Sequence, residues 1–190
     1  MKTMIKTGLM LSVFCAAGAF AADGAGVTQR DVNQQDRIES GLKSGQLTTR
    51  EAASLEHKEA VVDRMEARDM KDGKLTAAES AKLNAAQNRV SQDIYRDKHN
   101  ARVGDPNSAS SQRMQADVQR NANQQARIEQ GLKSGSLNGH EAARLERGQA
   151  RVDRREALAG ANGHVGAAEQ SGIQRAENRQ SRHIFRKKHN

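Results

Sequence analysis

Gly41-Leu42-Lys43-Ser44-Gly45-Gln46-Leu47-Thr48-Thr49-Arg50-Glu51 stops one helix and starts another. Gly45 can adopt the left-handed conformation that ends a helix. Thr48 and Glu51 form a capping box, in which a hydroxyl and a carboxylate take up free amides of the next helix's first turn. The same punctuation returns at Asp72-Gly73-Lys74-Leu75-Thr76-Ala77-Ala78-Glu79. Outward from these two bends, apolar residues recur at turn spacing: Ile38 and Leu42; Leu55, Val62 and Met65; Leu83, Val90 and Ile94. That pattern predicts helices near 28–43, 49–70 and 76–98.

The whole unit then repeats. Residues 33–100 align with 123–190 at a constant offset of 90 without a gap, and 36 of the 68 positions are identical. Gly131-Leu132-Lys133-Ser134-Gly135 repeats the opening stretch, followed by Leu137, Asn138 and Glu141 at the first bend and Gly163, Val165, Gly166 and Glu169 at the second, where glycine makes a weaker cap. Ile128, Leu132, Leu145, Val152, Leu158, Ile173 and Ile184 predict helices near 116–133, 139–160 and 167–188. Gly104-Asp105-Pro106-Asn107 and the serines 108 and 110–111 between the copies read as a flexible linker. The expected architecture is all-α: two tandem three-helix units, at 22–100 and 116–190, joined by a linker at 101–115.

Composition narrows the class. Of 190 residues 35% are hydrophobic and 28% charged, with no tryptophan, one tyrosine, three phenylalanines and one proline. Strand-forming aromatics are too scarce for an all-β fold. Around eight large apolar side chains per copy, at roughly 1.5–3 kcal/mol each, face an ordering cost of 1–2 kcal/mol per residue. A copy alone is therefore marginal, and a bound ion, contact between copies or self-association is expected to support it.

Residues 1–21 read as a secretory signal peptide. Lys2 and Lys6 precede an uncharged apolar run, and Ala19-Phe20-Ala21 makes a small-x-small cleavage site. About 13 apolar residues fall short of the ~20 that span a bilayer, so no membrane span is expected after cleavage. Cys15 leaves with the signal, which excludes disulfides and thiolate sites from the mature chain. The expected location is periplasmic or secreted, where nucleic acid is an unusual partner.

A helix, a loop with glycine, a hydrophobic residue two further on, a glutamate six after the glycine, then a helix: in that order the bends resemble degenerate EF-hands. The likeness covers about 12 residues at each of four places. It implies oxygen ligands for a divalent cation, Mn2+ or Ca2+, from Glu51, Asp69, Asp72, Thr76 and Glu79 in the first copy and Glu141, Asn162 and Glu169 in the second. Ser40 and Arg68 stand where the family opens its loop with an acidic ligand, and Leu42 and Met70 stand at the next acidic position. Glycine stops and capping boxes account for the same matched residues without an ion, so both readings stand at this point.

One observation favours an ion. Glu56, Glu59, Asp63 and Glu66, spaced three, four and three, share a helical face, and carboxylates so close repel unless a cation or basic side chains neutralise them. Lys58, Arg64 and Arg68 are the candidate neutralisers. Among the six histidines, His99 and His189 recur at the same repeat position and are the best imidazole candidates.

The copies differ in charge: 33–100 holds 12 basic and 12 acidic residues, whereas 123–190 holds 13 and 7. Arg151, Arg154, Arg155, Arg182, Arg186, Lys187 and Lys188 make the last two helices a candidate polyanion-binding surface. No phosphate loop, dinucleotide fingerprint, nucleophile elbow or paired zinc-ligand helix is present, so no catalysis is expected. Two functions follow: an exported divalent-metal-binding protein for sequestration, delivery or sensing, or a helical interaction module that docks an envelope or outer-membrane protein or a polyanion through its basic second repeat.

Overall fold

The computed structural model describes residues 18–190, with side chains from residue 24 onward. The targeting segment expected over 1–21 lies, up to residue 17, outside the described residues. The fold is all-helical: α1 (Gly18–Lys43), α2 (Thr49–Asp69), a 3-10 turn (Met70–Asp72), α3 (Ala77–Lys98), α4 (Ala109–Ser134), α5 (Gly139–Gly160) and α6 (Ala167–Lys188). None of these helices is long and apolar enough to cross a membrane.

The bends form as their chemistry dictates. Gly45, Gly73, Gly135 and Gly163 lie at φ between 73° and 87°, the left-handed region that side chains with a Cβ rarely adopt. Thr48, Thr76 and Asn138 each accept the N3 amide while Glu51, Glu79 and Glu141 reach back to the cap amide. At Gly166 only the returning half exists, from its amide to Glu169. Below each first bend, Leu47 and Leu137 donate their amides to the carbonyls of Gly41 and Gly131, both at 2.9 Å.

Both helices that open a copy start earlier than expected, α1 at Gly18 rather than near 28. α4 begins at Ala109, capped by Ser108, several residues before the expected 116, so it takes up 109–115 of the expected linker. What remains, 99–108, is tied down. Gly104 donates its amide to the Gly45 carbonyl at 2.8 Å, and Asn100 and Arg102 both reach Glu51. Composition marks this stretch as linker-like, but its partners lie at a bend some 50 residues earlier and are invisible to local reading.

The copies lie against each other throughout. The end of α5 meets the start of α2, and the end of α1 (Ile38, Leu42) meets the start of α4 (Met114, Val118), so both pairs run antiparallel, while α3 and α6 pack against them. Gly160, at the end of α5, meets the start of α2 so closely that a Cβ there would sit 2.7 Å from the Ala53 Cβ. Buried alanines at seven-residue spacing, Ala53, Ala60 and Ala67 on α2 and Ala143, Ala150 and Ala157 on α5, let the two backbones approach along their length. Equivalent bonds recur in both halves: Gln35 to Glu56 and Gln125 to Glu146 (both 3.1 Å), Arg37 to the Ser91 carbonyl and Arg127 to the Ser181 carbonyl (3.0 and 3.2 Å). The arrangement is a pseudo-twofold with its axis near the middle of α2 and α5.

This antiparallel pairing sorts the interior into layers. One apolar cluster joins Ile38, Leu42, Leu47 and Leu55 to Met114, Val118 and Ile173; the other joins Val27, Leu75 and Leu83 to Ile128, Leu132, Leu145 and Ile184. Each sits at one end of the bundle and draws on both copies. Between them lies a buried layer of carboxylates and carboxamides.

Candidate metal centre

Each acidic side chain singled out at the bends is engaged locally. Glu51 accepts from the Thr48 amide and hydroxyl and from Asn100 and Arg102; against the upward push of partial burial, these bonds hold it below the usual glutamate range. Glu79 accepts from the Thr76 amide (2.9 Å) and hydroxyl (2.7 Å), and Glu141 from the Asn138 amide. Asp72 takes the Lys74 amide, the Asn162 side chain takes the His164 amide, and Asp69 pairs with Arg68 at 2.6 Å. His99 and His189 stack on Tyr95 and Phe185 at exposed helix ends, each with Nδ1 against a carbonyl four residues back. These residues belong to separate bends and do not converge.

Convergence occurs in the middle layer. Among the described residues, the one group of potential ligands whose donor atoms all lie within 4.8 Å of one another is Glu56 of α2 with Asp153 and Glu156 of α5, all fully buried. Asn121 of α4 donates to Glu156 at 2.7 Å, and Gln35 of α1 donates to Glu56 at 3.1 Å, so four helices build the site. The pseudo-twofold places the counterparts Glu146, Asp63 and Glu66 beside it. There Gln125 donates to both Glu146 and Asp63, and the Asp31 carboxyl lies close to that of Glu66. Asp63 and Asp153 meet where the halves join. Glu59 lies against Asp31, Glu56 and Asp153.

No family, curated protein or solved structure matches this chain. The site is therefore read from its own chemistry.

That chemistry is one-sided. Twenty buried side-chain polar atoms among the described residues lack a hydrogen-bond partner, and all are oxygens. They include both carboxylate oxygens of Glu59 and of Glu66, and one each from Glu56, Asp63, Glu146, Asp153 and Glu156. The surrounding amides already point their NH2 groups inward and still leave the layer short of donors. Buried polar atoms are ordinarily paired, so a concentration of orphans of one type marks a demand for positive charge or protons.

Basic side chains meet it only at the margin, where Arg120 pairs with Glu177 at 2.9 Å. Lys58 turns to Asp93 at 2.6 Å, Arg64 to the Ala60 carbonyl at 2.9 Å and Arg68 to Asp69. Arg30 and Arg37 temper Asp31 and Glu59 from the rim but spend their donors on Asn84 and Ser91. Burial, reinforced by the other carboxylates, pushes Glu56, Glu59, Asp63, Glu66, Glu146 and Glu156 well above their usual range. Burial carries Asp31, Asp117 and Asp153 to about 7. Each ionised carboxylate kept here without compensation costs several kcal/mol.

The acidic face of α2 was visible in the sequence; its partner on α5 was not singled out, although Glu146, Asp153 and Glu156 repeat Glu56, Asp63 and Glu66 at the same offset of 90. The basic residues singled out on α5 and α6 divide. Arg151 and Arg155 line a groove between the two helices, Arg182 and Arg186 lie beside exposed Phe185, Lys187 approaches Glu141 and Lys188 donates to Gln130. Arg154 is exposed.

Proposed function

We propose that this chain is an exported divalent-metal-binding protein, with Mn2+ or Ca2+ the favoured ions, acting in sequestration, delivery or sensing and without catalysis. In this reading the cation sits in the carboxylate layer between two tandem three-helix units, around Glu56, Asp153 and Glu156, and the EF-hand-like bends serve as helix boundaries. One observation supports it most: the buried orphans are oxygens alone, two of them on each of Glu59 and Glu66. Glu56, Asp153 and Glu156, with the neighbouring Asn121 and Gln35, offer carboxylate and amide oxygens and no sulfur or imidazole, a set suited to hard cations.

Thermal melting with chelator and with added Ca2+ or Mn2+ tests the reading. A cation present at 100 times its Kd stabilises by about 2.7 kcal/mol, a rise of roughly 5–10 °C for a chain of this size. Asp153→Asn with Glu156→Gln keeps the volume and removes the charge. That variant is expected to lose the cation-dependent rise and to melt no lower in chelator. Glu79→Gln, at a bend, is expected to keep the rise. A wild-type chain whose melting ignores every divalent ion, or a rise lost with Glu79→Gln and kept with Asp153→Asn, overturns the proposal.

A further inference from the structure

The two halves present equivalent grooves of different chemistry. Between α2 and α3, the first is lined by Val61, Met65, Lys82 and Arg89, with Lys58 and Asp93 paired across it. Between α5 and α6, the second encloses about 240 Å3 and is ringed by Arg151, Arg155, Arg179 and His183 over a floor of Gly148 and Gln180. Arg151 and Arg155 stand where the first half has Val61 and Met65; Gly148 and His183 stand where it has Lys58 and Asp93. The second groove has thus gained two guanidiniums and lost the carboxylate and its partner.

No carboxylate among the described residues pairs with its arginines. Among the described residues, Arg151, Arg155 and Arg179 form no ion pair, and all three are exposed. The Gln180 side chain fills the space over Gly148 and spends its NH2 on the Leu145 carbonyl at 2.8 Å, leaving a neutral floor. Like charges at i,i+4, as at 151 and 155, weaken a helix unless an anion lies between them. Guanidinium forks match the oxygens of a phosphate ester.

The surroundings specify which phosphate. Leu158, 67% exposed, continues the same stripe of α5 beyond Arg151 and Arg155. It lines a hollow with Ala159, Gly172 and Ile173 that shares Arg155 with the groove and has Glu169, the carboxylate that caps α6, at its edge. A bare apolar side chain adjoining a phosphate-sized cationic groove suits an anionic lipid, with its headgroup among the arginines and Leu158 at the acyl boundary. A soluble polyanion has no use for it. We propose that the α5–α6 groove of Arg151, Arg155, Arg179 and His183 docks the phosphate of an anionic lipid headgroup, holding the protein at a membrane surface.

The test measures flotation of the full chain with phosphatidylcholine vesicles, with and without phosphatidylglycerol, in chelator so that no cation bridges protein and lipid. The readout is the ratio of anionic to neutral binding, which cancels any contribution common to both vesicles. Arg151→Val with Arg155→Met installs residues that the equivalent groove already holds. The ratio is expected to fall roughly ten- to thirty-fold, from about 1 kcal/mol per basic residue near an anionic surface. Lys82→Gln with Arg89→Gln removes the same charge from the first groove and is expected to leave the ratio unchanged. Equal loss in both double variants, or a wild-type ratio near one, overturns the proposal. So does heparin binding as tight as vesicle binding together with indifference of both to Leu158→Ser, which marks a general polyanion site.

Discussion

Asp153 stands at the centre of the molecule's least ordinary chemistry. It accepts from Gln149 at 3.3 Å, meets Asp63 across the junction of the halves and shares a ligand-sized cluster with Glu56 and Glu156. Burial raises its folded pKa to about 7, as it does for Asp31 and Asp117, and burial with the nearby Asp117 raises Glu177 to about 8. An unfolded carboxyl titrates near 4, so between these limits the folded chain binds more protons than the unfolded one. Stability is then greatest below pH ~4 for these groups and declines as pH rises through 7 to 8. In chelator, melting is expected to be higher at pH 5 than at pH 8, the reverse of ordinary acid denaturation. Mn2+ or Ca2+ is expected to close that gap at pH 8, where the ligands can ionise. Melting followed by circular dichroism across this range decides it, and a chelated chain most stable at pH 8 contradicts the assignment. The sequence pointed to the acidic face of α2 and not to these four acids. What it hid was that Lys58, Arg64 and Arg68 are taken up by Asp93, the Ala60 carbonyl and Asp69 rather than by the buried layer.

Helices, by contrast, were legible almost to the residue wherever a cap marked them. Thr48, Thr76 and Asn138 start α2, α3 and α5 as local chemistry requires, and no distant contact is needed to place them. The starts of α1 and α4 were read late because no capping box precedes them and their first turns carry few large apolar residues; Met114 and Val118 of α4 are buried by contact with the other copy. This division yields an expectation at the same scale. Thr76→Ala removes a cap and should lower stability by about 1 kcal/mol, readable as a reduced urea midpoint with unchanged slope. The cation-dependent rise in melting should survive. If it vanished with the cap, the bends would be ligand sites after all.

At the scale of the molecule, the repeat was evident and its consequence was not. Identity at 36 of 68 positions shows that there are two copies but says nothing of how they meet. The answer lies in the alanine seam and in Gly160, whose missing Cβ lets α5 close on Ala53. Each apolar cluster takes side chains from both copies, so neither copy has an interior of its own. The marginal apolar content of a single copy, legible from composition, is the physical reason. Residues 109–190 expressed alone should therefore associate in pairs, with α5 meeting its own twin. Analytical ultracentrifugation would report that mass, and a folded, stable monomer of this half would contradict it.

Such a pair would be an ordinary isologous homodimer, and the present chain is the covalent form of one. Symmetry obliges a homodimer to change both subunits at every substitution. Fusion releases that constraint. Glu59 faces the interior where the other half has Gln149, Asp31 where it has Asn121, and Gln87 where it has Glu177. The charge of the central layer can thus be adjusted one group at a time, as no symmetric ancestor could have done.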